Sequence, residues 1–175
     1  MKLLFVTQKV DHEDDLLAYV HEWIKEFSKY TEMITVVCLW KGSFDLPRNV
    51  TLLSLGKEYE LNHPQSKVLL RFKYIVRFMR HILRERDSYD TVFVHMNPIY
   101  IVLAGWFWKI SQKKIFLWYT HRQVDLKLRI ATLFTDLIFT ASRESFRLHN
   151  SRVSVMGHGI DVEKFTIREP RIVDD

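Results

Sequence analysis

The chain has 175 residues, 47% hydrophobic and 27% charged, which is enough apolar material for one ordinary core and too little net charge for a disordered polyelectrolyte. Five glycines and four prolines exclude collagen-like and low-complexity classes, and argue against an all-β fold built on many tight turns. Twenty-six lysines and arginines against 21 acids leave +5, a balance that suits anionic partners without choosing among phosphorylated small molecules, membrane lipid and nucleic acid.

The apolar run at 2–8 reads as a buried first strand that ends in the acidic loop Asp11-His12-Glu13-Asp14-Asp15. From Asp14 or Asp15 the residues Leu16, Leu17, Val20, Trp23, Ile24 and Phe27 recur at helical spacing, which predicts an amphipathic helix. The β-branched run at 33–40 has the composition of a strand buried on both faces, and 50–55 repeats it more weakly. A long helix follows at 66–86, then a strand at 91–95, a helix at 99–111, a strand at 114–119 and a helix at 125–134. A strand at 136–141, a short helix at 143–148 and a strand at 152–156 complete the alternation. Six or seven strands separated by helices predict a three-layer α/β/α, Rossmann-like domain with a mostly parallel sheet.

In such a sheet the ligand lies beyond the carboxyl ends of the strands, so the residues just after each strand are the candidates for chemistry. They are Asp11 after the first strand; His95 and Asn97 at the fourth; His121 and Arg122 after the fifth; and Gly157, His158 and Gly159 after the last. His121 is the candidate catalytic residue. Asp11, His95, Asn97 and Arg122 are candidate substrate contacts, although Asn97 also suits a helix cap and Pro98 the first helical turn.

The residues Val153-Ser154-Val155-Met156-Gly157-His158-Gly159-Ile160-Asp161, with Phe165 four residues on, resemble the strand and turn that close the first domain of retaining glycosyltransferases of family 4, whose fold is GT-B. Upstream, Asp136-Leu137-Ile138-Phe139-Thr140-Ala141-Ser142 looks like the adjoining strand and turn, and Phe116-Leu117-Trp118-Tyr119-Thr120-His121 resembles the strand whose end carries the family's active-site histidine. The resemblance implies an acceptor-binding amino-terminal domain over 1–165, the start of an interdomain linker at 166–175, and a carboxyl-terminal donor-binding domain outside this chain. It also implies transfer of a hexosyl group, with retention, from a nucleotide-sugar to a glycan or lipid-linked acceptor, with no cofactor and no metal. His121 would line the cleft, and Gly157, His158 and Gly159 would form the interdomain turn near the donor. The acidic loop at 11–15 stands where the family commonly has a glycine-rich loop. Its carboxylates repel phosphate and suit hydrogen bonds to sugar hydroxyls, so only proximity to the acceptor carries over.

The basic character is local. The helix at 66–86 carries seven lysines and arginines against one acid, Glu85, an excess of six that is larger than that of the whole chain. At 100° per residue Lys73, Arg77, Arg80 and Arg84 share one side, while Phe72, Ile75, Val76, Met79, Ile82 and Leu83 form the expected core stripe. Such a cationic face with an apolar margin suits anionic lipid headgroups, a solvated surface or a nucleic-acid groove.

Other signals exclude rather than assign. The single cysteine, Cys38, permits neither an internal disulfide nor a CxxC metal knuckle, which points to a reducing, cytoplasmic location. The apolar start is too short for a secretory signal, and the longest apolar stretch, 99–108, is about half a bilayer span. A Walker A loop, a GxGxxG fingerprint and a GxSxG elbow are all missing. Two rival readings remain: a sugar-nucleotide epimerase of the same architecture, and a non-catalytic membrane-binding module that uses the domain as a scaffold. Nucleic-acid binding rests on charge alone and is not expected.

Overall fold

The computed structural model describes residues 1–60 and 66–159. The continuous apolar runs form parallel strands because a strand covered on both faces has no polar side to spare. These are β1 (Lys2–Val10), β2 (Met33–Lys41), β3 (Val50–Ser54), β4 (Thr91–His95), β5 (Lys114–Trp118), β6 (Leu137–Thr140) and β7 (Val153–Val155). Between them lie α1 (Ala18–Ser28), α2 (Lys67–Arg84), α3 (Ile99–Ile110) and α4 (Leu126–Phe134), with single 3₁₀ turns at Lys57–Tyr59 and Arg143–Ser145. The described strands form one sheet in the order β3-β2-β1-β4-β5-β6-β7, every pair parallel. This is the Rossmann-like α/β architecture expected from the alternation.

The two faces of the sheet carry separate cores. On one, Leu4, Val6, Val92, Val94, Ile115 and Leu117 pack under Phe78 and Ile82 of α2, Ile101, Ala104 and Trp108 of α3, and Leu128 and Ala131 of α4. The buried Trp108 indole donates to the Tyr89 hydroxyl, which donates to the Ile82 carbonyl, so no polar atom of that pair is left dry. On the other face α1 lies over Phe5, Ile34, Val36 and Phe93 with Val20, Ile24, Trp23 and Phe27, while Phe116 and Phe139 stay partly exposed.

Several expected boundaries and faces are corrected. Helix α1 begins at Ala18 and not at Asp14 or Asp15, because Asp14 uses its carboxylate to close a turn over Leu16 and Leu17. Leu16 is consequently 82% exposed and not part of the core stripe. The last short helix is only one 3₁₀ turn. Helix α2 is rolled relative to its expected stripe: Phe78 and Ile82 are buried, whereas Phe72, Ile75, Val76 and Leu83 face outward. The large Phe78 ring sets that roll by packing at a tilt against Tyr100 and edge-on to Trp108 of α3.

Candidate functional site

The order of the strands reverses between β1 and β4: the chain leaves β1 through α1 on one face and leaves β4 through α3 on the other. In sheets of this kind such a switch point is where the ligand crevice lies, beyond the carboxyl ends. β1 outruns β4, since its last partner on β4 is Val94 opposite Val6, while its own tip continues along β2 to Val10 opposite Lys41. Thr7 and Gln8 therefore stand beside His95 and Asn97. The Asn97 amide donates to Gln8 Oε1 at 3.4 Å across the gap, and the Ile99 N–H donates to Asn97 Oδ1 at 3.4 Å. Pro98 sits at the N-cap of α3.

Between His95 and Asn97 the backbone is strained. Met96 has φ +62, a left-handed conformation that a bulky side chain disfavours. Its N–H donates to the Trp118 carbonyl at 2.8 Å and Thr120 Oγ1 donates to its sulfur at 3.2 Å. Strain of this kind, about 1 kcal/mol or more, persists where surrounding contacts over-determine it and gathers at ligand sites.

His95 does not stand on the rim as the sequence suggested. It is 1% exposed, with Nδ1 3.2 Å from Thr7 Oγ1 and Nε2 3.1 Å from the Tyr19 hydroxyl. Burial, with His121 adding to it, pushes the imidazole down to about 4, so the ring is neutral at pH 7. Phe5, Tyr19 and Trp23 surround it, and Trp23 packs edge-on against Trp118 with centroids 4.9 Å apart. His95 thus holds Tyr19; it does not face a ligand.

Asp11 is also committed within the chain. Lys9 Nζ lies 3.0 Å from Asp11 and 2.5 Å from Asp14, which offsets part of the charge of a loop that carries four acids. Gly42 leaves the room this needs, since a Cβ there would overlap the Asp11 carboxylate. Asp14 Oδ1 accepts from the N–H groups of Leu16 and Leu17 at 2.9 and 2.7 Å; with Lys9 as the largest cause and these donors next, the carboxyl is held at about 2. In nucleotide-binding α/β folds the N-terminus of the first helix offers its N–H groups to phosphate. Here the Asp14 carboxylate lies in the turn just before that N-terminus, where it takes the N–H groups of Leu16 and Leu17 and places negative charge beside it.

His121 and Arg122 are exposed just beyond β5. The His121 ring lies edge-on to Tyr119 at 5.6 Å. The Glu144 carboxyl is held below its usual range by its own backbone N–H and the Ser142 hydroxyl, with the charges of Arg122 and Arg143 adding to it. After β7, Gly157 and Gly159 both take positive φ, +77 and +61, around the exposed His158. Gly159 returns to α1, where a Cβ would sit 3.6 Å from Trp23. Ile160, Asp161, Phe165 and the expected linker at 166–175 lie outside the described residues.

The cations of α2 divide in two. Lys73 and Arg77 turn inward to Glu60, at 2.7 and 3.7 Å, and Arg77 also donates to the Leu55 carbonyl at 2.6 Å. Buried carboxylate demands such partners, so these two do not belong to a free cationic stripe as expected. Arg80 and Arg84 are exposed, with Lys67 and Arg71 near the helix start. The outward apolar residues Leu69, Phe72 and Val76 line, with Lys73 and Arg77, a shallow groove of about 360 Å³. Among the described residues no helix is long and apolar enough to cross a membrane, and no group of three or more His, Cys, Asp or Glu is placed to hold a metal ion.

The residues missed in the sequence are Thr7, Tyr19 and Trp23. Trp23 was assigned to the core stripe of α1, and Tyr19 meets His95 only across 76 positions of sequence. A tyrosine in the first turn after a strand of a parallel sheet is the local signal that was available.

No protein-family model and no curated protein sequence matches the chain. Solved structures do match. The Anabaena Alr3699/HepE structure in complex with UDP aligns with a TM-score of 0.58 and 15% identity, over 93% of this chain and 45% of that one. MurG of Acinetobacter baumannii aligns with a TM-score of 0.58 and 8% identity, over 97% and 50%. A UDP-N-acetylglucosamine 2-epimerase aligns with a TM-score of 0.51 and 10% identity, over 88% and 47%. This chain spans about half the length of each. Its fold is that of one Rossmann-like half of a GT-B protein.

Proposed function

We propose that the chain is the acceptor-side domain of a GT-B enzyme acting on a nucleotide-sugar, and specifically of a retaining, family 4 hexosyltransferase. The observation that carries this reading is the alignment of 93% of the chain onto 45% of a protein solved with UDP, which leaves a second half to complete the cleft. In that arrangement the donor is held chiefly by the partner domain, and this chain presents the crevice between β1 and β4. His121, exposed beside the crevice, donates a hydrogen bond to the donor sugar as positive charge develops at its anomeric carbon and the diphosphate departs. Arg122 and the turn at Gly157, His158 and Gly159 border the donor, and Asn97 with Gln8 faces the acceptor.

The acceptor in this reading is a glycan or a lipid-linked sugar, and α2 brings a lipid-linked one within reach. Its exposed Leu69, Phe72 and Val76 are flanked by Lys67, Arg71, Arg80 and Arg84, which is the pattern of a helix that lies on an anionic bilayer. The protein then works as a peripheral enzyme on the inner face of a cytoplasmic membrane.

The alignment to the UDP-N-acetylglucosamine 2-epimerase favours a second reading, isomerisation of the nucleotide-sugar itself. One experiment separates the two. The complete protein is incubated with a panel of UDP-sugars and candidate acceptors, and products are read by UDP release and NMR of the anomeric centre. Transfer with retention, lowered about 100-fold by His121→Ala, is the expected outcome. Epimerised UDP-sugar without an acceptor product selects the isomerase, and turnover of no nucleotide-sugar overturns both.

A further inference from the structure

The polar chain at the base of the crevice ends at a side chain that the proposed function leaves unused. Thr7 and His95 are buried and bonded to each other, and His95 passes the contact to the hydroxyl of Tyr19, which is 40% exposed. A buried imidazole with both nitrogens satisfied fixes the position of that phenol, and the Trp23 ring packs edge-on to the Tyr19 ring at 5.5 Å. The strained Met96 follows His95 directly. A folded chain retains such strain and such a buried polar array where they position something.

The charge around this phenol selects the kind of ligand. Lys9 is committed to Asp11 and Asp14, and the Asp14 carboxylate takes the Leu16 and Leu17 N–H groups in the turn before α1, in a loop that carries four acids. The hydrogen-bonding groups at the tips of β1 and β4 are instead neutral: the Gln8 and Asn97 amides, bonded to each other, and the Tyr19 hydroxyl, bonded to His95. Amides and a phenol beside aromatic rings suit a neutral polyhydroxylated ring, whose hydroxyls exchange hydrogen bonds and whose C–H faces lie on apolar walls.

We propose that the Tyr19 hydroxyl, held by the buried Thr7–His95 pair, is a hydrogen-bonding contact for the neutral sugar ring of the acceptor at the crevice between β1 and β4. This rests on the reading above and gives its acceptor side a ligand class and a contact residue. The diphosphate of the donor is excluded from this end of the crevice.

The test uses ligand-observed NMR on the 175-residue chain with methyl glycosides of the gluco, galacto, manno and N-acetylglucosamine configurations, and with UDP as the anionic competitor. A methyl glycoside binds, UDP does not displace it, and Tyr19→Phe weakens it about five- to tenfold, the loss of one neutral hydrogen bond. Should Tyr19→Phe fold poorly, the wild-type chain still decides: adding the glycoside shifts the ¹⁵N resonances of the His95 ring and leaves those of His149 in place. Equal binding by Tyr19→Phe with an unmoved His95 resonance overturns the contact while leaving the nucleotide-sugar reading intact. Absence of glycoside binding overturns the contact as well, and if the complete protein also turns over no nucleotide-sugar, both fall together.

Discussion

His95 shows how one buried side chain can give a crevice its shape without touching a ligand. Its imidazole, ordinarily near 6.5, is held at about 4 by burial and by the neighbouring His121. Between those two values the unfolded chain takes up a proton that the folded chain refuses, so stability rises with pH across the window and is lost as pH falls from about 6.5 to 4. The full effect is on the order of 3 kcal/mol. His95→Gln keeps a neutral hydrogen-bonding group and removes the titration. Urea unfolding at several pH values should therefore show the wild type losing about that much relative to His95→Gln between pH 7 and pH 4; parallel curves would show that the ring titrates normally. The chain's position made His95 look like a rim residue because it is the last residue of β4. The sequence could not display that β1 runs four residues past its last β4 partner and that its tip helps bury the ring.

At the scale of elements, order and type were readable because the chain alternates apolar β-branched runs with helical periodicity, and each strand of a doubly covered sheet announces itself without its neighbours. The roll of α2 was not readable. That helix is apolar on more than one side, and the choice of buried stripe falls to Phe78, which finds Tyr100 and Trp108 only after α3 has docked. The start of α1 was misplaced for a different reason: aspartates suit both a helix's first turn and a capped turn before it, and Lys9 draws Asp14 into the second role. Packing between α3 and α4 turns on Gly105, where an added Cβ would lie 2.8 Å from Phe134 Cγ and 2.9 Å from its Cβ. Alanine improves helix propensity by about 1 kcal/mol, but the Phe134 Cβ is fixed one bond from its own backbone and cannot withdraw. Gly105→Ala should destabilise the fold by about 1–3 kcal/mol. In a double-mutant cycle Phe134→Ala should relieve that cost by more than 1 kcal/mol, and strict additivity would mean the helices shift apart freely.

At the scale of the molecule, the crevice and the exposed face of α2 have a common geometry. In a parallel α/β sheet each crossover helix runs back against the strands, so α2 begins at the carboxyl rim where β3 ends. Leu69 and Phe72 lie in its first half and Val76 at its middle, towards the end of the domain that carries Tyr19, Asn97 and His121. On the proposed function a bilayer under α2 would meet the acceptor side of that rim, and Lys73 and Arg77, which share the single Glu60 carboxylate, would leave one positive charge at the groove. If α2 lies on a membrane as proposed, the exposed cations that would meet it are Lys67, Arg71, Arg80 and Arg84, since Lys73 and Arg77 turn to Glu60. With each cation worth about 1 kcal/mol near a charged surface, the triple change Arg71→Gln, Arg80→Gln and Arg84→Gln should lower partitioning onto phosphatidylglycerol vesicles about 100-fold. Phe72→Asp should weaken it at any ionic strength, whereas Lys73→Gln should act mainly on stability by leaving Glu60 only the longer pair with Arg77. Vesicle sedimentation at low and high salt reads all three, and binding that is indifferent to both Phe72 and the three arginines would remove α2 from the membrane and leave the crevice reading to stand without it.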